Sequence, residues 1–114
     1  MKLMIIVLNK PDKLDKVISA LVEAGVPGGT LVQSEGIGQV LAADIPLFAG
    51  FKQMLSGTRP FNHMIFSVVS NDEVVADART IINDVLGESD SHDGILFTLP
   101  VDSFAMLGKP RPQP

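Results

Sequence analysis

One pattern, met twice in this chain, restricts the fold more than any other feature: a strand-like apolar run, an amphipathic helix closed by a glycine, and a second strand-like run. In the first pass, residues 2–9 are almost unbroken apolar and β-branched, which marks a central strand buried on both faces. Pro11 and Asp12 open a helix with Leu14, Val17, Ile18, Leu21 and Val22 on one stripe; Asp12, Lys13, Asp15, Lys16 and Glu23 face water, and Gly25 ends it. A Pro27-Gly28-Gly29 turn leads to residues 30–35, a strand of mixed polarity with one wet face. In the second pass, residues 64–69 form a strand and Ser70 with Glu73 makes a capping box. The helix that follows carries Val74, Val75, Ala78, Ile81, Ile82, Val85 and Leu86 on one side up to Gly87, and residues 95–100 form the last strand. Residues 88–94 read as a polar loop and 101–107 as a short irregular or helical segment. Two right-handed β-α-β units give an α+β, ferredoxin-like βαββαβ sandwich, with a four-stranded antiparallel sheet and both helices on one face. The other face is left bare and must be buried by something.

Between the two units lies a stretch far longer than a hairpin needs. Residues 36–60 are too apolar for disorder, and connections of this length inside a domain are usually functional. Leu47, Phe48, Phe51, Met54 and Leu55 fall on one helical face, with Asp44 to cap it, Pro46 in the first turn and Gly57 to end it. A helix this short needs cover from the body, a neighbouring subunit or a partner. The expected organisation is one domain over 1–108, with a 37–60 loop carrying that helix and a proline-rich tail over 109–114.

Composition narrows the partners. Of the 114 residues 46% are hydrophobic and only 19% charged, with a mean hydropathy of +0.30. No run approaches the roughly 18–20 apolar residues that cross a bilayer, so the surplus points to subunit interfaces. Residues 1–9 have no small-residue cleavage site and run into a helix start, so they read as a strand and not a signal peptide. The absence of cysteine excludes disulfides, thiolate metal sites and thiol catalysis, and fits a cytoplasmic setting. A net charge of −4 argues against nucleic acid, and six scattered Phe with no Trp or Tyr offer no stacking platform.

Against that pattern, Lys10-Pro11-Asp12-Lys13-Leu14-Asp15-Lys16-Val17, then Ala20-Leu21, Gly25-Val26, Gly28, Thr30 and Gly36-Ile37-Gly38-Gln39, resembles the start of the PII nitrogen-regulatory signalling proteins. Later, Asp93-Gly94-Ile95-Leu96-Phe97 and Pro100-Val101 are similar to that family's Gly-Asp-Gly-Lys-Ile-Phe stretch and its continuation, so the resemblance covers residues 1 to 108. It implies a homotrimer whose sheets face one another around a threefold axis. It further implies adenine nucleotide in clefts between subunits, and a long loop that relays the bound state to a target enzyme or transporter. By the same resemblance the cleft is lined by Leu8, Thr30, Gly36, Gly38, Gln39, Asp93 and Gly94.

Several positions depart from the family. Its phosphate-binding lysine is Ile95 here, its two C-terminal arginines fall on Met106 and Gly108, and the glycine ahead of the aspartate is His92. The third-strand glutamate that meets the adenine is Phe66, and the loop lysine that meets 2-oxoglutarate is Asn62. A triphosphate must be met by Arg, Lys or a metal. Arg59 and Lys109 are the cations placed to substitute, or else are plain surface charges.

The remaining candidates carry bland alternatives. Gly36-x-Gly38 lets a backbone approach an anion or simply ends a strand. His92 and Asp93, with Glu88, Asp90, Ser91 and His63, either hold a divalent ion or form a solvated acidic turn beside two ordinary histidines; the second reading is preferred and no metal is assigned. Leu47, Phe48, Phe51 and Leu55 either dock a partner or fold back over the cleft. No triad is evident, and Asn9-Lys10-Pro11 lacks the arginine-bearing phosphate cradle of the acylphosphatases, which share this element order, so no enzyme is expected. The expectation is a cytoplasmic, trimeric, PII-like regulator of a target protein, responding to a small metabolite or adenine nucleotide. Its rivals are a trimeric interaction module without ligand sensing and a CutA-like metal-binding trimer.

Overall fold

The computed structural model describes residues 1–37, 61–89 and 92–112. Four strands, β1 (Lys2–Leu8), β2 (Thr30–Ser34), β3 (Asn62–Val69) and β4 (Gly94–Pro100), form one antiparallel sheet in the order β2-β3-β1-β4. Helix α1 (Leu14–Glu23) follows a 3-10 turn at Pro11–Lys13, and helix α2 (Asp72–Leu86) joins β3 to β4. This is the ferredoxin-like α+β arrangement the sequence pattern implies. The apolar run β1 takes a central place, where both its edges are hydrogen-bonded.

Register sorts the strands into two faces, because side chains alternate along each one. Met4, Ile6 and Leu8 stand level with Ser67, Ile65 and His63 on β3 and with Thr98, Leu96 and Gly94 on β4. Met4, Ile6, Leu8, Ile65 and Val69 share a buried core with Val17, Ala20, Leu21 and Ala24 of α1 and Ala78 and Ile82 of α2, so this face carries the helices. Each fully buried aliphatic side chain there contributes about 1.5–3 kcal/mol.

The opposite face is formed by Leu3, Ile5 and Val7 of β1, Met64, Phe66 and Val68 of β3, Ile95, Phe97 and Leu99 of β4, and Val32 of β2. No described element is layered over it, and Ile95, Phe97 and Leu99 are 59%, 41% and 47% exposed. Only its centre is dry: Ile5, flanked by Phe66 and Phe97, is 7% exposed.

Three local expectations are corrected. The inward stripe of α1 is Val17, Ala20, Leu21 and Ala24, while Ile18 and Val22 are exposed. The N-cap of α2 is Asn71, whose side chain accepts the Val74 N–H at 3.0 Å, in place of Ser70. Residues 30–33 of β2 are exposed on both faces, as β2 is an edge strand. The 101–107 segment is irregular.

Candidate functional site

Two regions of the sheet collect the candidate residues. At one end, Leu8 closes β1 in register with His63 and Gly94, and the Asn9 N–H donates to the Asp93 carbonyl at 2.7 Å. Gly94 is required there: a Cβ on it would stand 2.3 Å from the Val7 carbonyl oxygen, so only glycine lets β4 start beside β1. The Leu8 side chain belongs to the core, which leaves its backbone as what it can offer a ligand.

The Asp93 side chain is 6% exposed, with Lys10 Nζ at 4.0 Å and, among the described residues, no hydrogen-bond partner on Oδ1. It lines a polar cleft of about 300 Å³ together with Lys10, Asp12, Lys13 and Glu88. Lys13 Nζ donates to the Leu86 carbonyl at 3.3 Å and so ties the start of α1 to the end of α2. His92 and Lys109 are exposed, and Gly36 is half-buried just past the end of β2. Gly38, Gln39 and Arg59, and the apolar stripe Leu47, Phe48, Phe51 and Leu55, lie outside the described residues.

The same end of the sheet holds a polar knot that the sequence reading passed over. Asn62, buried, donates through Nδ2 to Asn9 Oδ1 at 3.1 Å and accepts the Ser34 hydroxyl on its Oδ1. Ser34 ends β2 and Asn62 begins β3, so the two strand ends that flank the 37–60 stretch are pinned to each other and to the end of β1. Where the resemblance puts a ligand-meeting lysine, this chain has a structural clasp. The available signal was the placement of short amides and a hydroxyl at strand ends.

The second region lies further along the sheet. Thr30 opens β2 opposite Phe66, three residues back from Leu8 on β1, so it is not brought to the Leu8–Asp93 end. Gly29 lies so close to β3 that a Cβ there would stand 2.7 Å from the Phe66 carbonyl oxygen. A cavity of about 550 Å³ opens here on the uncovered face, between Leu3, Thr30, Phe66 and Val68 on one side and Phe104 and Met106 on the other. A smaller apolar cavity of about 150 Å³ sits across the sheet, between α1 and β2, where Ile18, Val22 and Leu31 line it.

The family model for nitrogen regulatory protein P-II matches residues 1–109, nearly the whole chain. This chain belongs to the P-II family. No curated protein matches it. The match spans both β-α-β units and the stretch between them, so family membership and the observed sheet order agree over the entire fold.

Within this P-II fold two of the departures from the family pattern come together. Phe66 and Met106, standing where the resemblance puts a glutamate and an arginine, line the same 550 Å³ cavity. Among the described residues no group of three or more His, Asp or Glu is arranged to hold a metal; His63 packs edge-on against Phe61, ring centroids 5.6 Å apart. No described helix is long and apolar enough to cross a membrane.

Proposed function

We propose that this P-II-family chain is a cytoplasmic regulator that works as a homotrimer, takes a small metabolite or adenine nucleotide in clefts between subunits, and acts on a target enzyme or transporter through residues 37–60. The observation that supports it is the bare sheet face. A contiguous apolar surface built from three strands, with Ile95, Phe97 and Leu99 each about half exposed, is characteristic of an interaction surface. Self-association around a closed symmetry axis is the simplest way to cover it. The Ser34–Asn62–Asn9 clasp fits the regulatory part of the reading, since it fixes the base from which the 37–60 stretch departs.

Sedimentation equilibrium tests the assembly: the reading expects about three times the 12.2 kDa chain mass at micromolar concentration. A stable single-chain mass overturns it. The relay is tested with Phe48→Ser/Phe51→Ser, which is expected to keep the assembly mass and abolish capture of the target protein. Capture unchanged by both substitutions removes the loop from the account.

A further inference from the structure

Ser34, Asn62, Asn9 and Asp93 form one row across the sheet. Ser34 pairs with Asn62, and continuing the register of β1 one step past Leu8 sets Asn9 level with Asn62 on one side and Asp93 on the other. The row therefore crosses the four strands in their spatial order, at the end where β2 stops and β3 begins. Hydrogen bonds join it without a gap. The Ser34 hydroxyl donates to Asn62 Oδ1, Asn62 Nδ2 donates to Asn9 Oδ1 at 3.1 Å, and the Asn9 N–H donates to the Asp93 carbonyl at 2.7 Å.

Ser34 and Asp93 stand three strand spacings apart, roughly 14 Å, a distance at which substitutions ordinarily act independently. Asn62 removes that independence: it is buried, and with both ends of its amide engaged it cannot turn without losing a partner. Asn9 passes the constraint on, holding Asn62 through its side chain and Asp93 through its main chain. At the far end the Asp93 carboxylate, 6% exposed, faces Lys10 Nζ at 4.0 Å. A buried carboxylate that loses its counter-charge is drawn toward water, so a change in this pairing shifts the turn that carries it. We infer that the row is a coupling device. A displacement at Asp93 is carried through Asn9 and Asn62 to Ser34, and so to both strand ends that flank the 37–60 stretch. Asn62, where the resemblance puts a ligand-meeting lysine, is on this account a positioning residue. The use of the row in signalling rests on the regulatory reading above, whereas the coupling stands on the hydrogen bonds themselves.

The test uses the full chain and native amide hydrogen exchange resolved by residue with NMR, with urea titration alongside to correct for global unfolding. Lys10→Met removes the counter-charge at a side chain that is 43% exposed, so the fold is kept. It should speed exchange at residues 34–36 by about fivefold or more, and change residues 30–32, at the other end of β2, by less than about twofold. Ser34→Ala cuts the row: Lys10→Met added to it should leave residues 34–36 within about twofold of Ser34→Ala alone. Ser34→Thr keeps the hydroxyl and should keep the full response. Gly94→Ala is a second push at the same end, because its methyl would stand 2.3 Å from the Val7 carbonyl oxygen, and should give the same pattern. No response at residues 34–36 to either push, an equal response at 30–32, or the same response in the Ser34→Ala and Ser34→Thr backgrounds would each overturn the inference. The assembly mass separates the two claims. A trimer in which Lys10→Met is felt only at its own end keeps the regulatory reading and loses this one, while a monomer that carries the response does the reverse.

Discussion

The uncovered face of the sheet carries more apolar residues than the face under the helices, and the two have opposite fates. On the helix face, Met4, Leu8, Val17 and Val69 are almost completely enclosed, and small residues such as Ala20 and Ala78 let the helices come close. On the other, Ile95, Phe97 and Leu99 stand in the open although they are as apolar as anything in the core. Hydrophobicity alone therefore does not separate fold from function in this chain; the layering of elements does. One face holds each chain together, and the other leaves its apolar rim exposed on the single chain.

Substitutions can break this contrast or sharpen it. The largest effect belongs to the helix face: Leu8→Ala is expected to lower unfolding free energy by about 2–5 kcal/mol in urea titration, because it leaves a cavity in a packed core. If Leu8 served chiefly as a ligand contact, the loss would be far smaller. Next come the pieces that hold the sheet's end. Gly94→Ala forces a methyl against the Val7 carbonyl and Asn62→Ala strips the clasp of its centre. Each should cost about 1–3 kcal/mol in the same measurement. A smaller effect tests the capping assignment: Asn71→Ala should cost about 1 kcal/mol and Ser70→Ala less than about 0.5 kcal/mol, and the reverse order would restore the serine as cap. The smallest effect on folding belongs to the open face. Phe97→Glu should change the unfolding free energy of the isolated chain by under about 1 kcal/mol while dissociating the assembly, read together by urea titration and light scattering.

Element order and sheet topology were legible because both β-α-β units show the overall periodicities of their elements, and the apolar run of β1 left only a central strand for it to be. The helix stripe was less so. The i, i+4 spacing of Ile18 and Val22 mimics a core face, yet the helix turns its alanines inward, and an alanine carries too little hydrophobicity to announce that. The cap slipped by one residue because Ser70 and Asn71 are both good caps and only the backbone geometry chooses between them. At the candidate site Gly94 opens β4, where its closeness to the Val7 carbonyl demands glycine, and Asp93 stands just before it. The clasp at Asn62 depends on hydrogen bonds between residues 28 and 53 positions apart, and the 550 Å³ cavity is lined by residues from both ends of the chain; no local pattern encodes either.

The claim on which the rest stands, that the bare sheet face is covered in solution by further copies of the chain, has a direct test because the chain contains no cysteine. Phe97→Cys and Val22→Cys place single thiols at positions 41% and 70% exposed on the isolated chain, one on each side of the molecule. Their native reaction rates with a thiol reagent are compared after normalising each to its rate in denaturant. Burial between copies predicts that the thiol at position 97 reacts at least about tenfold more slowly than the one at 22. Rates equal within about twofold, as the exposures of the single chain alone would give, would contradict the account.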